Sequence, residues 1–273
     1  MKTIVFGDIH GRDIWKEIAA ENYDADCFVF LGDYVSSHDR RLMYNDEAQI
    51  NNLKDILDFA EFENAITSKT KALVLNSPSN PTGMLYGEAE LREIAEIAVE
   101  NDIFVVADEI YEKLIYDGKQ HVSIASFNEE IKDRTIIING VSKSYAMTGW
   151  RIGFTAANEA VTKAMANMQS HAASNPSSIS QAAALEAYNG EQETVEEMRK
   201  VFEERRNYMV DRINSIAGVS CRKPEGAFYV MMNIKEVFGR EICGKVINTS
   251  DDFCEVLLEN SLVALVPGSG FGI

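Results

Sequence analysis

The stretch Gly140-Val141-Ser142-Lys143-Ser144-Tyr145-Ala146-Met147-Thr148-Gly149-Trp150-Arg151-Ile152-Gly153 sets a lysine after an apolar run and an arginine eight positions beyond it. The run ahead of it, Thr135-Ile136-Ile137-Ile138, is short, rich in β-branched residues and closed by Asn139-Gly140. An apolar run with no alternation reads as a strand buried on both faces of a parallel sheet. The lysine therefore sits in the loop leaving a buried strand.

Two more runs of the same kind lie upstream, Ala72-Leu73-Val74-Leu75 and Ile103-Phe104-Val105-Val106-Ala107. Between them Leu91, Ile94, Ala95 and Ala98 recur at helical spacing, which predicts a helix over Glu88 to Asn101. The order strand, helix, strand is an α/β pattern, a mainly parallel sheet flanked by helices. Each predicted strand ends in polar residues: Asn76-Ser77-Pro78-Ser79-Asn80-Pro81-Thr82-Gly83, then Asp108-Glu109-Ile110-Tyr111, then the lysine loop. Ligands of open α/β sheets bind outside the carboxyl ends of the strands, so the three ends converge on one candidate site.

Beyond Gly153 the pattern predicts helices over 160–169, 180–188 and 193–216. Strand-like Gly226-Ala227-Phe228-Tyr229-Val230-Met231-Met232, a helix near 250–260 and a terminal strand Val263-Ala264-Leu265-Val266 follow, as in part of an α+β domain. At the front, Thr3-Ile4-Val5-Phe6 and Cys27-Phe28-Val29-Phe30-Leu31 are strand candidates around a helix near 13–21, and a polar helical stretch covers about 46–62.

Lys and Arg number 26 against 43 Asp and Glu, a formal charge of -17, which repels phosphate backbones and anionic membranes. Neither nucleic acid nor a membrane is an expected partner. Cys27, Cys221, Cys243 and Cys254 have no paired spacing and read as reduced thiols of a cytoplasmic protein. The first residues turn polar too soon for the apolar core of a signal peptide, and no apolar run is long enough to span a bilayer.

The ordered motifs S-x-S-N-P-T-G, A-D-E-I-Y and S-K-x-Y-A-M-T-G-W-R-I-G together resemble the class I and II, fold-type I, pyridoxal-phosphate aminotransferases over about Glu63 to Gly272. The resemblance implies pyridoxal 5'-phosphate as cofactor and an amino acid, either aspartate or a broad range, and a 2-oxo acid as substrates. It implies that Lys143 forms the Schiff base, Asp108 pairs with the pyridine nitrogen, Asn80 and Tyr111 hydrogen-bond the ring oxygen, and Arg151 grips the phosphate. It also implies a homodimer. The residue types suit the roles: a carboxylate keeps the pyridine nitrogen protonated so that the ring accepts electrons, and a planar guanidinium donates two parallel bonds to a phosphate. Many relatives carry a phosphate-contacting serine three positions before the lysine, where this chain has Gly140.

Gly7-Asp8-Ile9-His10-Gly11 and Gly32-Asp33-Tyr34 resemble the opening of the calcineurin-like metallophosphoesterases, implying a short β-α-β segment in which Asp8, His10 and Asp33 bind a divalent metal. That likeness stops near Asp58 to Glu61, before the family's G-N-H segment. The expected organisation is a phosphoesterase-like fragment over 1–61, an aminotransferase large-domain region over 62–190 and a partial small domain over 191–273. On this reading the aminotransferase segments that cradle the phosphate upstream and clamp the substrate carboxylate downstream are both absent. The alternatives to transamination are a metal-dependent phosphoesterase and a non-catalytic fusion.

Overall fold

The computed structural model describes residues 65–271 and, ahead of them, two strands, Thr3–Phe6 and Cys27–Phe30. The chain divides into two compact units, one of Leu53–Asn233 and one of Met1–Asn52 with Ile234–Ile273.

The larger unit is built on a four-stranded sheet. Its strands are β3 (Ala72–Asn76), β4 (Phe104–Asp108), β5 (Thr135–Gly140) and β6 (Gly153–Ala156), in the spatial order β3-β4-β5-β6. The first three run parallel, and β6 returns antiparallel to β5 with Gly140 opposite Gly153. The mainly parallel sheet expected from the apolar runs is present. The β6 partner was not foreseen, because a four-residue strand entered from a glycine turn has too little pattern to be read.

Helix α1 (Glu88–Glu100) covers one face of the sheet. Its Leu91, Ile94, Ala95 and Ala98 pack with Leu75, Val105, Ala107, Ile124 and Ile131, and burying each large aliphatic side chain contributes about 1.5–3 kcal/mol. Asn128 caps the following short helix α2 (Glu129–Arg134) by accepting from the Ile131 N–H at 3.0 Å, which satisfies one of the free donors of a helix start. Strand β3 is not buried on both faces as expected: Leu73 and Leu75 join the α1 core, whereas Val74 on the opposite face is 58 % exposed. Alternate residues of a strand point to opposite faces, and at Val74 the second face is left uncovered among the described residues.

Helices α3 (Glu159–Ala172), α4 (Ser178–Asn189) and α5 (Glu193–Asn214) confirm the helical periodicity read beyond Gly153. The strand expected over 226–232 is a correction. Only Met232–Asn233 (β8) pairs, with Ser220–Cys221 (β7), while Gly226 makes a single bridge to Ile115. Ala227 has φ +56°, outside the extended region, so the aromatic run cannot continue as a ladder.

In the smaller unit β1 (Thr3–Phe6) and β2 (Cys27–Phe30) pair in parallel, as their apolar runs predicted. The two-residue strands β9 (Glu241–Ile242) and β10 (Lys245–Val246) form a hairpin ahead of α6 (Ser250–Ser261). A capping box opens α6: Asp252 N–H donates to Thr249 Oγ1 at 3.1 Å, and Asp252 Oδ2 accepts from the Thr249 N–H. The terminal strand expected over Val263–Val266 does not form, and Val266 is 71 % exposed; these residues have no ladder partner among those described. The predicted helices near 13–21 and 46–62 lie outside the described residues.

Candidate active site

The parallel register aligns the strand ends. Asp108, the last residue of β4, lies opposite Asn76 of β3 and Ile138 of β5. The ladder continues past the strand ends, with Ser77 N–H donating to the Asp108 carbonyl at 3.1 Å and Glu109 N–H to the Ile138 carbonyl at 2.9 Å. Asp108 is thereby fixed at the middle of the sheet's carboxyl edge, and its Oδ1 accepts from the Ile110 N–H at 3.1 Å. In the turn after β3, Asn80 donates its N–H to Asn76 Oδ1 at 2.7 Å. Gly83 closes that turn at φ +68°, where a Cβ would lie 2.5 Å from Pro224 Cβ.

Lys143 is half-buried in the turn leaving β5, and its Nζ stands 5.9 Å from the ring centre of Tyr111 and 6.0 Å from that of Phe228. Tyr111 is 2 % exposed, edge-on to Phe228 at 5.4 Å and to Tyr229 at 5.7 Å. Its hydroxyl lies 2.5 Å from the Tyr229 hydroxyl. Behind this group Phe228 stacks on Phe202 of α5 at 5.5 Å.

Arg151 ends the 3-10 turn Thr148–Trp150, and its guanidinium donates to the Thr148 carbonyl at 3.0 Å. Arg151 and Ala146 both take left-handed backbone, at φ +50° and +53°. Such conformations are rare for non-glycine residues and cluster where a loop is held for function. Gly140 is explained by packing: a Cβ there would come 2.9 Å from the Gly153 Cα, so the position of the family's serine is taken by the close approach of β5 to β6.

Directly after β4, Glu109 is buried, accepts from Ser123 Oγ at 2.6 Å and pairs with His121 Nε2 at 3.1 Å. Glu112 brings a third ligand-type atom, all three lying within 4.8 Å of one another. Glu112 also helps burial raise the Tyr145 and Tyr188 phenols, the latter to about 12.

Of the residues singled out from sequence, the structure brings Lys143 against Tyr111 and sets Asp108 and Asn80 on the same carboxyl edge. Asp8, His10 and Asp33 lie outside the described residues. Sequence reasoning missed Phe228 and Tyr229, which were read as strand, although two aromatics directly after Gly226-Ala227 were a visible signal.

A family model for aminotransferase class I and II matches residues 44–273. The chain belongs to the class I and II aminotransferases. It is 55% identical over 212 residues to an aspartate aminotransferase of Bacillus subtilis (strain 168), covering 78% of this chain and 53% of that protein. It is 41% identical over 245 residues to an asparagine--oxo-acid transaminase of Streptococcus mutans, covering 90% and 61% respectively. The solved aspartate aminotransferase of Rhizobium meliloti superposes with a TM-score of 0.79 at 37% identity, covering 100% of this chain and 64% of that one. The chain thus spans about half the length of the first of these relatives. Aminotransferases of this family depend on pyridoxal phosphate. The match begins at residue 44, ahead of the boundary expected near 61, and nothing in these likenesses supports the phosphoesterase-like reading of 1–61.

The residues present fit such a cofactor by their chemistry: an amine at Lys143, a carboxylate at Asp108, a phenol at Tyr111, an amide at Asn80 and a guanidinium at Arg151. All belong to the larger unit. No helix among the described residues is long and apolar enough to cross a membrane.

Proposed function

We propose that this chain carries the pyridoxal-phosphate site of an aminotransferase that moves an amino group between an amino acid and a 2-oxo acid. The observation that carries the reading is Lys143 held against the ring of Tyr111, with Asp108 fixed at the adjacent strand end, in a chain of this family.

Bound pyridoxal phosphate would supply the electron sink that lets the substrate's α-proton leave. Asp108 would hold a proton on the pyridine nitrogen through a charge-assisted hydrogen bond. Asn80 and Tyr111 would donate to the ring oxygen, and Arg151 would hold the phosphate through its planar fork. The Lys143 amine would carry the proton from the substrate's α-carbon, a general acid-base role. Substrate exclusion from water and ring orientation fall to Tyr111 and Phe228, the aromatic walls nearest that amine.

Aspartate is the amino donor favoured by the relative most identical among those described, and asparagine is its competitor. A homodimer of a cytoplasmic protein is the form proposed. The test is spectroscopic. Adding pyridoxal phosphate to the full chain is expected to give a visible absorbance band that is lost in Lys143→Ala, and no band in the unaltered chain overturns the reading. Turnover of aspartate against asparagine with 2-oxoglutarate then separates the two donors.

A further inference from the structure

The hydroxyl of Tyr111 has a neighbour that the family motifs did not mark. Tyr229 lies 118 residues away along the chain, yet the two phenolic oxygens are 2.5 Å apart. A phenol carries one proton to donate and lone pairs to accept. The Tyr111 ring is wedged edge-on between Phe228 and Tyr229 at interplanar angles of 83° and 80°, so its hydroxyl proton is the part left to rotate. If Tyr229 donates, the Tyr111 oxygen is the acceptor and its own proton is turned away from Tyr229.

We propose that Tyr229 is a positioning residue of the cofactor site: it donates to Tyr111 and so directs the Tyr111 proton at the ring oxygen of pyridoxal phosphate. This rests on the functional reading above. Two hydrogen bonds in series also polarise one another, which strengthens the bond that Tyr111 donates.

The segment bearing Tyr229 is held as such a role requires. Ala227 is fully buried at φ +56°, its N–H donates to the Leu114 carbonyl at 2.9 Å, and its carbonyl accepts from the Tyr116 hydroxyl. Arg206 of α5 donates to the Pro224 carbonyl at 2.5 Å. A strained residue persists only where its surroundings over-determine it, and here they fix the placement of the two aromatics that follow.

The consequence is a pH effect. A donor to the ring oxygen of bound pyridoxal phosphate would favour the anionic form of that oxygen. Removing the Tyr229 hydroxyl weakens that donor, so the titration midpoint of the visible band should move to higher pH.

The experiment uses the full chain with pyridoxal phosphate, together with carbon-13 NMR of the same chain labelled at the tyrosine ζ-carbon and free of cofactor. Tyr229→Phe is expected to raise the midpoint by about half a pH unit to one unit. Tyr111→Phe moves it the same way, and the double variant moves no further than Tyr111→Phe alone, as expected for groups acting in series. Tyr116→Phe loosens the same segment without removing a partner of Tyr111, and is expected to lower the thermal midpoint while leaving the titration in place. Without cofactor, Tyr229→Phe shifts the Tyr111 ζ-carbon resonance. A band whose midpoint does not move in Tyr229→Phe, or an unmoved Tyr111 resonance, overturns the role. No band in the unaltered chain overturns the functional reading, and the role with it, even where the resonance reports the contact.

Discussion

Arg206 is 4 % exposed, although it sits in the highly charged helix α5. It forks onto Asp117 at 2.8 and 3.0 Å, and its guanidinium lies 4.8 Å from the ring centre of Tyr116. Asp117 also accepts from Lys223 at 2.8 Å, and these bonds, the Arg206 one foremost, hold its carboxyl down to about 2 from 3.8. Burial pushes the Tyr116 phenol the other way, up to about 12, against the opposing Arg206 and Arg199. The depressed carboxyl has a signed consequence. Its contribution to stability is complete above the unfolded pKa and is lost as the pH falls from about 4 toward 2. Urea unfolding followed across that window should show a shallower loss of stability in Asp117→Asn than in the unaltered chain; equal slopes would contradict the assignment. At this scale Lys143, Asp108 and Tyr111 were legible because ordered motifs mark them. Arg206 was not, since one arginine among many on a helix carries no sign of which will be enclosed.

At the scale of elements, the turn between β5 and β6 is decided by two glycines facing each other. A Cβ on Gly153 would stand 2.9 Å from the Asn139 carbonyl oxygen, just as one on Gly140 would meet Gly153. Introducing the family's serine as Gly140→Ser is therefore expected to destabilise the chain by about 1–3 kcal/mol, as overpacking does, measured by urea unfolding at neutral pH. An unchanged midpoint would mean that the strands can part freely. The longer helices were legible from a 3.6-residue period, and the three parallel strands from continuous apolar runs. Strand β6 and the loop over 226–231 were not, because a short aromatic or glycine-bearing run obeys no period long enough to read, and its backbone follows the partners it finds.

At the scale of the whole molecule, the formal charge of -17 works against compactness through self-repulsion. Added salt screens that repulsion over about 10 Å at 0.1 M. The thermal midpoint should thus rise when sodium chloride is raised from about 10 to about 150 mM, and a fall would show that ion pairs such as Arg199 with Glu196 and Glu203 outweigh it. The family resemblance was legible at this scale across most of the chain. How the described residues divide into units was not, since the larger unit runs on through Asn233 across the helical region and the smaller joins the two ends of the sequence.

The amino-acid sequence by itself determined the family, the three parallel strands with the longer helices, and the chemical identity of the groups at the strand ends, because each of these is written in neighbouring residues. Tertiary structure alone decided which side chains meet. Tyr111 finds Tyr229 across 118 positions and Asp117 finds Arg206 across 89. Contacts of that span are selected by how α5 and the 224–229 segment pack against the residues that follow β4, and packing is a property of the whole fold, absent from any local pattern.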